Sequence, residues 1–333
     1  MTHPQRPLGT GFTAASTAAD VLRGLDLTGK NVIVTGGHGR LGLETTRALA
    51  QAGASVTVAA RDPERAGLAI AGIPRAEVSR LDLVDPGSID DFVARWLGSH
   101  RPLHVLVNSA TPPAPPELTR DARGYEIQIA TSHLGHFQLT LGLLPALRAA
   151  RGARVVNVSS GAQRFGVMRW DDLHFATGGY GPQVAYAQAK KANVLFTVEL
   201  DRRFAEEGIR SFAVHPGVVV DAQVAGTPRF AALRAMGLLD EAGQPIIDPE
   251  RGKKTAQQGA GTIVLAAASP LLAGIGGVYL KDNDVSRIDD EPRPLTADSI
   301  PSEVASHSID PEAARRLWEL SEALLQGSRS SSG

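Results

Sequence analysis

NVIVTGGHGRLG, residues 31–42, decides the fold. A β-branched run ends in glycines, and ETTRALAQAG, residues 44–53, follows with helical spacing and a glycine stop. Gly37, Gly39 and Gly42 form G-x-G-x-x-G, a pattern that means little alone and much when it follows a strand and opens a helix. Glycine permits the tight turn and lets backbone approach a pyrophosphate, while the helix start offers N–H donors and a favourable dipole. A glycine-rich turn in a nucleotide-free α/β protein is the competing reading, and the strand–turn–helix context weighs against it.

Outward from that turn, short apolar runs alternate with longer helical patterns. SVTVAAR (55–61), a run ending near Leu83, LHVLVNSA (103–110), ARVVNVSS (153–160), IRSFAVHPG (209–217) and GGVYL (276–280) bring the expected strands to seven. SIDDFVARWLG reads as an amphipathic helix with Ser88 as its N-cap. Near-continuous apolar strands separated by helices are buried on both faces. That predicts an α/β fold: a Rossmann-type doubly wound, mostly parallel seven-stranded sheet with helices on both faces. Right-handed crossovers put every strand C-terminus on one edge, where ligands bind. The Gly-rich turn, Asn108, Ser160 and Pro216 all fall at that edge. No linker interrupts the alternation before residue 217. Residues 29–326 are therefore expected to form one domain, behind an N-terminal extension (1–28) and ahead of a disordered Gly/Ser/Arg tail (327–333).

The 333 residues are 43% hydrophobic, enough for a sizeable core, and carry a formal net charge of -1. That balance lacks the basic excess by which a nucleic-acid binder is recognised. Cysteine is absent, which excludes disulfides and thiolate metal sites and fits a reducing compartment. The N-terminus has no basic start followed by an apolar run, and no stretch approaches about 18 uninterrupted apolar residues. Neither a secretory signal nor a membrane span is expected, and the expected location is cytoplasmic.

The second strand ends Ala59-Ala60-Arg61, with Arg65 close behind and no carboxylate before Arg61. An acid here holds the ribose hydroxyls of NAD, whereas an arginine suits the 2′-phosphate of NADP, which it pairs bidentately. NADP(H) is favoured over NAD(H), with Asp62 as the competing acid one place beyond the arginine. Asp82, at the end of the third strand, suits either the adenine edge or a turn cap.

In QVAYAQAKKAN (183–193), a strongly helical stretch, Tyr186 and Lys190 lie four apart and share one helix face. A neighbouring cation stabilises a tyrosine anion and suits it for proton transfer at a carbonyl oxygen. Y-x-x-x-K is common by chance, and two surface helix residues would explain it. Its weight comes from Ser160, whose hydroxyl at the end of the fifth strand can bond a substrate oxygen as charge develops. The Pro216-Gly217 turn after the sixth strand can border a nicotinamide.

With LDLTGKNVIVTGG, SVTVAARD, HLGHFQLT, RVVNVSS, AYAQAKKANVLFTVEL and FAVHPGVV in order across residues 15–325, the chain resembles the short-chain dehydrogenase/reductase superfamily. Within it, the chain is similar to the retinol-dehydrogenase and WW-domain-oxidoreductase-like branch, in a soluble bacterial form. The resemblance implies an oxidoreductase acting on CH–OH groups. Tyr186 would be the general acid/base, and Lys190 would hold the nicotinamide ribose and lower the tyrosine pKa. Ser160 would orient the substrate, and Asn108 would support the sheet and the adenine side. Coenzyme contacts are expected from Gly36, Gly37, His38, Gly39, Arg40, Leu41, Arg61, Asp82, Leu83, Asn108, Ser109 and Ala110. Tyr186, Lys190, Pro216, Gly217 and Val219 complete that set.

Three positions depart from the family. Arg40 stands where the turn usually has glycine, with Gly39 restoring one a step earlier and Arg40 left to meet a phosphate. Ser132 replaces the asparagine that would hold a water in the proton relay. Asp221 stands where the family has Thr or Ser, an anion beside the nicotinamide carboxamide. His133 and His136 lie three apart on a helix without an evident third ligand, so packing is expected and no metal; His215 is read as structural.

Residues 163–184 and 222–254 should shape the substrate pocket. Phe165, Val167, Met168, Trp170 and Phe175 in the first, and RFAALRAMGLL as an amphipathic lid in the second, suggest a hydrophobic alcohol, ketone or aldehyde. The expected partner is a small molecule, with no nucleic acid and no membrane, and the resemblance allows a homodimer through the helix around Tyr186. Two other functions stay open. One is a coenzyme-binding regulatory protein with impaired catalysis, motivated by Arg40, Ser132 and Asp221. The other is a non-redox lyase or epimerase that uses Tyr186.

Overall fold

The computed structural model describes residues 4–220, 228–296 and 299–330. Helix α1 (Ala18–Leu22) precedes β1 (Asn31–Thr35), after which α2 (Arg40–Gln51), β2 (Ser55–Ala60), α3 (Pro63–Ile70), β3 (Ala76–Arg80), α4 (Pro86–Gly98) and β4 (Val105–Asn108) alternate. Next, α5 (Ile127–Ile129), a π-helical turn (Ala130–Gly135), α6 (His136–Gly142) and α7 (Leu144–Ala149) lead to β5 (Ala153–Val158). Then come α8 (Pro182–Phe204), β6 (Ile209–His215), α9 (Pro228–Ala235), α10 (Ala256–Ala268), β7 (Val278–Lys281), β8 (Asp284–Val285) and α11 (Pro311–Ser330).

The strands order as β3-β2-β1-β4-β5-β6-β7-β8. All neighbours through β7 are parallel, and β7–β8 is an antiparallel hairpin. The order reverses between β1 and β4, which opens the crevice where α/β sheets bind ligands. The eighth strand corrects the expected count of seven. It is two residues long, too short to show a period, and hangs on Asp282 (φ 51°) and Asn283 (φ 63°), residue types that tolerate the left-handed turn.

Strand residues alternate between two cores, as their period of two requires. Val32, Val34, Val56, Val107 and Val156 pack with α1, α2 and α10 on one face, while Ile33, Leu106 and Val155 pack with Phe92, Phe137 and Phe196 on the other. The first residues are bound into the fold. Gln5 pairs with the backbone of Tyr279 through Nε2 to O at 2.7 Å and N to Oε1 at 2.9 Å, and α1 is buried against α10 and α2. Ser88 is not the N-cap of α4. Asp85 caps it from one turn earlier, with Pro86 starting the helix, and the buried Ser88 hydroxyl accepts from Asp82 N–H at 2.9 Å. Helix α11 runs to Ser330, into the stretch expected to be disordered; residues 331–333 lie outside the described residues.

Helix α8 is buried continuously from Ala187 to Asp201. Helix α11 covers it, with Leu317 and Trp318 buried, Trp318 edge-on to Phe137 at 4.8 Å, and Ser321 bonded to His133 at 2.7 Å.

Candidate active site

The turn between β1 and α2 is shaped by glycines that have no room for side chains. A Cβ on Gly37 would lie 2.8 Å from Thr46 Oγ1, and one on Gly42 would collide with the Gly36 carbonyl; Gly36 itself has φ +64°. Gly39 is exposed and serves as N-cap of α2, so no side chain caps that helix's first turn. A tight backbone cradle facing an uncapped helix start fits a pyrophosphate. Arg40, the first residue of α2, reaches across to the loop after β6, where its Nη1 donates to the Val219 carbonyl at 2.6 Å.

At the end of β2, Asp62 is committed to capping α3, its carboxylate accepting from Arg65 N–H at 3.0 Å. Arg61 and Arg65 are exposed. His38, in the Gly-rich turn, lies close enough to feel both charges of this corner. Burial and then Arg65 lower its pKa, with Asp62 opposing. Its Nδ1 is buried without a hydrogen-bond partner. Asp82 serves as a turn cap, accepting from Val84 N–H at 3.2 Å. The Leu83 carbonyl abuts Gly135, which explains the glycine of HLGHF: a side chain there would collide with it.

Buried polar side chains brace the middle of the sheet edge. Asn108 donates to Asn157 at 2.8 Å and to Thr140 at 3.2 Å, and Asn157 donates to Thr197 on α8 at 2.9 Å. Asn108 thus joins β4, β5 and α6 from within, its Nδ2 donating to both neighbours. The Thr35 hydroxyl accepts from Ser109 N–H (2.9 Å) and Ala110 N–H (3.1 Å) and bonds His136 Nε2 at 2.8 Å. The Ser132 carbonyl can only accept, so the proton of His136 sits on Nδ1 (3.0 Å), and Thr35 donates to Nε2. Burial lowers the His136 pKa to about 4 and that of His133 to about 3, so both are neutral near pH 7. Both rings are engaged in these packing bonds.

Tyr186 and Lys190 sit in the first turns of α8, at the C-terminal end of β5. The Lys190 Nζ lies 5.5 Å from the centre of the Tyr186 ring and donates to the Val158 carbonyl at 3.2 Å. Asn193 donates to the same carbonyl at 3.0 Å, and the Ser159 hydroxyl to the Lys190 carbonyl at 2.7 Å, so α8 is fastened to the strand end at three points. Burial alone lowers the Lys190 pKa to about 8, which places its proton within easy reach of neutral pH. Ser160, half-buried, follows in extended conformation, its Oγ accepting from Ala162 N–H at 3.2 Å and keeping its own proton to donate.

The buried His215 ring touches both sides of the site. Its Nδ1 accepts the N–H of Gly161, next to Ser160, at 3.1 Å, and the residue leads directly into Pro216-Gly217. Behind that turn, Lys254 pairs with Asp282 at 2.6 Å. The aliphatic part of Lys254 packs where a Cβ on Gly217 (φ +82°) would lie. Ser132 sits in the π-helical turn, its hydroxyl bonded to Thr111 Oγ1 at 2.8 Å. Asp221 lies outside the described residues, as do residues 222–227 of the second expected substrate segment.

The rest of that segment folds back. Leu233, Leu238 and Leu239 are buried with Val218, Val220, Phe230 and Ile300. In the first segment, Met168 and Phe175 belong to buried packing, whereas Phe165 and Val167 are 53% and 68% exposed. Two open grooves of about 720 and 680 Å³ flank Phe165, and neither is lined by Ser160, Tyr186 or Lys190. Thr35, Thr111, Asn157, Thr197 and the Lys254–Asp282 pair were not legible as site residues. The second asparagine-bearing strand end, NVSS, was the one local signal for Asn157; the others depend on contacts between distant parts of the chain.

The short chain dehydrogenase family model matches residues 30–229. A Streptomyces lividans protein named "Probable oxidoreductase" is 44% identical over 300 residues, 89% of this chain and 97% of that one. Human "Retinol dehydrogenase 12" is 37% identical over 264 residues, 78% of this chain and 79% of that one. The crystal structure of an uncharacterized protein from Mycobacterium Paratuberculosis superposes with a TM-score of 0.70 at 32% identity, covering 94% of this chain and 98% of that one. The chain belongs to the short-chain dehydrogenase family, in its retinol-dehydrogenase-like branch, and is an oxidoreductase of the alcohol/carbonyl type that works with a nicotinamide coenzyme.

Proposed function

We propose that the protein is an NADP(H)-dependent reductase of apolar ketones or aldehydes, or the corresponding alcohol dehydrogenase. The observation that carries the reading is the buried Lys190 ammonium 5.5 Å from the Tyr186 ring and bonded to the end of β5, two residues before Ser160. A bound nicotinamide supplies or accepts the hydride. The substrate oxygen is then the place where charge and a proton must be managed, and two hydroxyls address it. Ser160 donates a hydrogen bond that strengthens as negative charge develops on that oxygen. Tyr186 gives its phenolic proton to the same oxygen during reduction, and the Lys190 charge stabilises the phenolate left behind. Val158, accepting from both Lys190 and Asn193, holds the ammonium at that station.

The choice of NADP(H) rests on the β2 corner. Asp62 caps α3 through Oδ1, while Arg61 and Arg65 are exposed and Arg65 is near enough to His38 of the Gly-rich turn to lower its pKa. Such a corner favours a 2′-phosphate over a diol. The apolar substrate rests on Val184, Met236 and Ile247, apolar side chains left exposed just before Tyr186 and in the segment following β6. The test is coenzyme oxidation against a panel of aromatic and long-chain aldehydes and ketones, with wild type and Tyr186→Phe. Turnover by the wild type that the variant loses supports the proposal. Turnover that survives in Tyr186→Phe, or product formed without coenzyme consumption, rejects it.

A further inference from the structure

We propose that Arg40 is a clasp that slows the release of coenzyme by joining the two lips of its cleft. The inference rests on reading the Gly-rich turn as the coenzyme site. Arg40 is the first residue of α2, on the phosphate lip; Val219 follows Pro216-Gly217, on the nicotinamide lip. The two residues, 179 positions apart in sequence, are joined at 2.6 Å by Arg40 Nη1 and the Val219 carbonyl.

Two further features make this contact a fixed bridge. The lips already meet beneath it, over Gly259 of α10. A Cβ there would lie 2.7 Å from Leu41 Cδ2, 2.9 Å from the Pro216 carbonyl and 2.9 Å from Val219 Cγ2, so only glycine lets them approach. The Val219 lip is itself anchored, because Val218 N–H donates to Gly252 at 2.7 Å and Lys254 N–H to Val218 at 2.9 Å. The carbonyl that Arg40 grips is thus held from behind.

The bridge spans the cleft and does not involve the β2 corner, so the clasp acts on NADPH and NADH alike, whereas Arg61 acts on NADPH alone.

The experiment is stopped-flow displacement of NADPH and of NADH from wild type, Arg40→Gly, Arg40→Gln and, as a control, Arg61→Ala. Arg40→Gly is expected to release both coenzymes about tenfold faster, the scale of one charge-assisted hydrogen bond, with the NADPH-to-NADH ratio unchanged. Arg40→Gln, which keeps helix propensity and loses the charge, is expected to follow it, and thermal melting of each apo variant checks that the fold persists. Release rates that stay at the wild-type value or fall overturn the clasp, and an effect confined to NADPH reassigns Arg40 to the 2′-phosphate. A wild type that binds neither coenzyme sinks the coenzyme reading and the clasp together. Wild-type binding with unaltered release in both variants sinks the clasp alone.

Discussion

From β1 to β4 the cleft is built of strand ends and helix starts; beyond β5 it is built of side chains that reach into distant backbone. The first half follows largely from local rules. Gly37 and Gly42 make the turn, Asp62 and Asp85 cap the next helices, and Val32, Ile33 and Val34 alternate between two cores. In the second half, Gln163 donates to Glu303 at 2.8 Å, and Arg164, its side chain 6% exposed, donates to the carbonyls of Asp289, Glu303 and Glu291. The partners come from residues 286–305, a segment whose described part has neither helix nor strand. The difference teaches that the half proposed to hold the coenzyme is specified largely by pattern and the half proposed to hold the substrate by long-range polar contacts, so changes on one side should be separable from changes on the other.

The sharpest break is Tyr186→Phe. Proton transfer by a positioned side chain contributes roughly 10²- to 10⁴-fold, so steady-state turnover should fall by that factor while NADPH affinity stays within a few-fold of wild type. Equal losses of both would mean that the halves do not separate at Tyr186. Next is Arg61→Ala, measured by coenzyme titration. Loss of a charge-assisted bond to the 2′-phosphate should weaken NADPH by about 10- to 100-fold, near 1.5–3 kcal/mol, and leave NADH untouched. Parallel weakening of NADH would assign Arg61 to a part the two coenzymes share.

On the other side, Arg164→Ala removes the donors to three carbonyls. Denaturant unfolding should show about 1–3 kcal/mol of lost stability, with coenzyme affinity retained. A coenzyme defect would show that the C-terminal segment also builds the first half. A last test is the pH dependence of stability. His133, His136 and His215 are buried and neutral, with pKa values lowered to about 3, 4 and 3. Below an ordinary histidine pKa of about 6.5 the unfolded chain binds protons that the folded one does not. Stability should therefore hold from pH 8 to about 6.5 and decline steadily between about 6.5 and 4, as unfolding at pH 7 and pH 5 would reveal. A flat profile across that window would mean that these rings are not held neutral.

The same contrast explains what could be read in advance. Seven strands, the Gly-rich turn and the Tyr186–Lys190 pair follow from period, glycine placement and helix spacing, each local. The eighth strand, two residues long, had no period to show. Ser88 looked like a cap because the true one, Asp85, lies before Pro86, where the apolar pattern has not begun. Asn108 was expected to support the sheet and the adenine side; its amide braces β5 and α6 through Asn157 and Thr140, partners 49 and 32 positions away. The packing of α11 on α8 depends on Trp318 meeting Phe137 and Phe196 across the chain.

Calorimetric titration of the wild-type protein with NADPH and then with NADH tests the coenzyme assignment most directly. Clearly tighter binding of NADPH is predicted, because Arg61 and Arg65 stand exposed at the β2 corner where a 2′-phosphate would lie. Tighter binding of NADH would contradict the reading of that corner, and binding of neither would contradict the assignment of the Gly-rich cleft as a working coenzyme site.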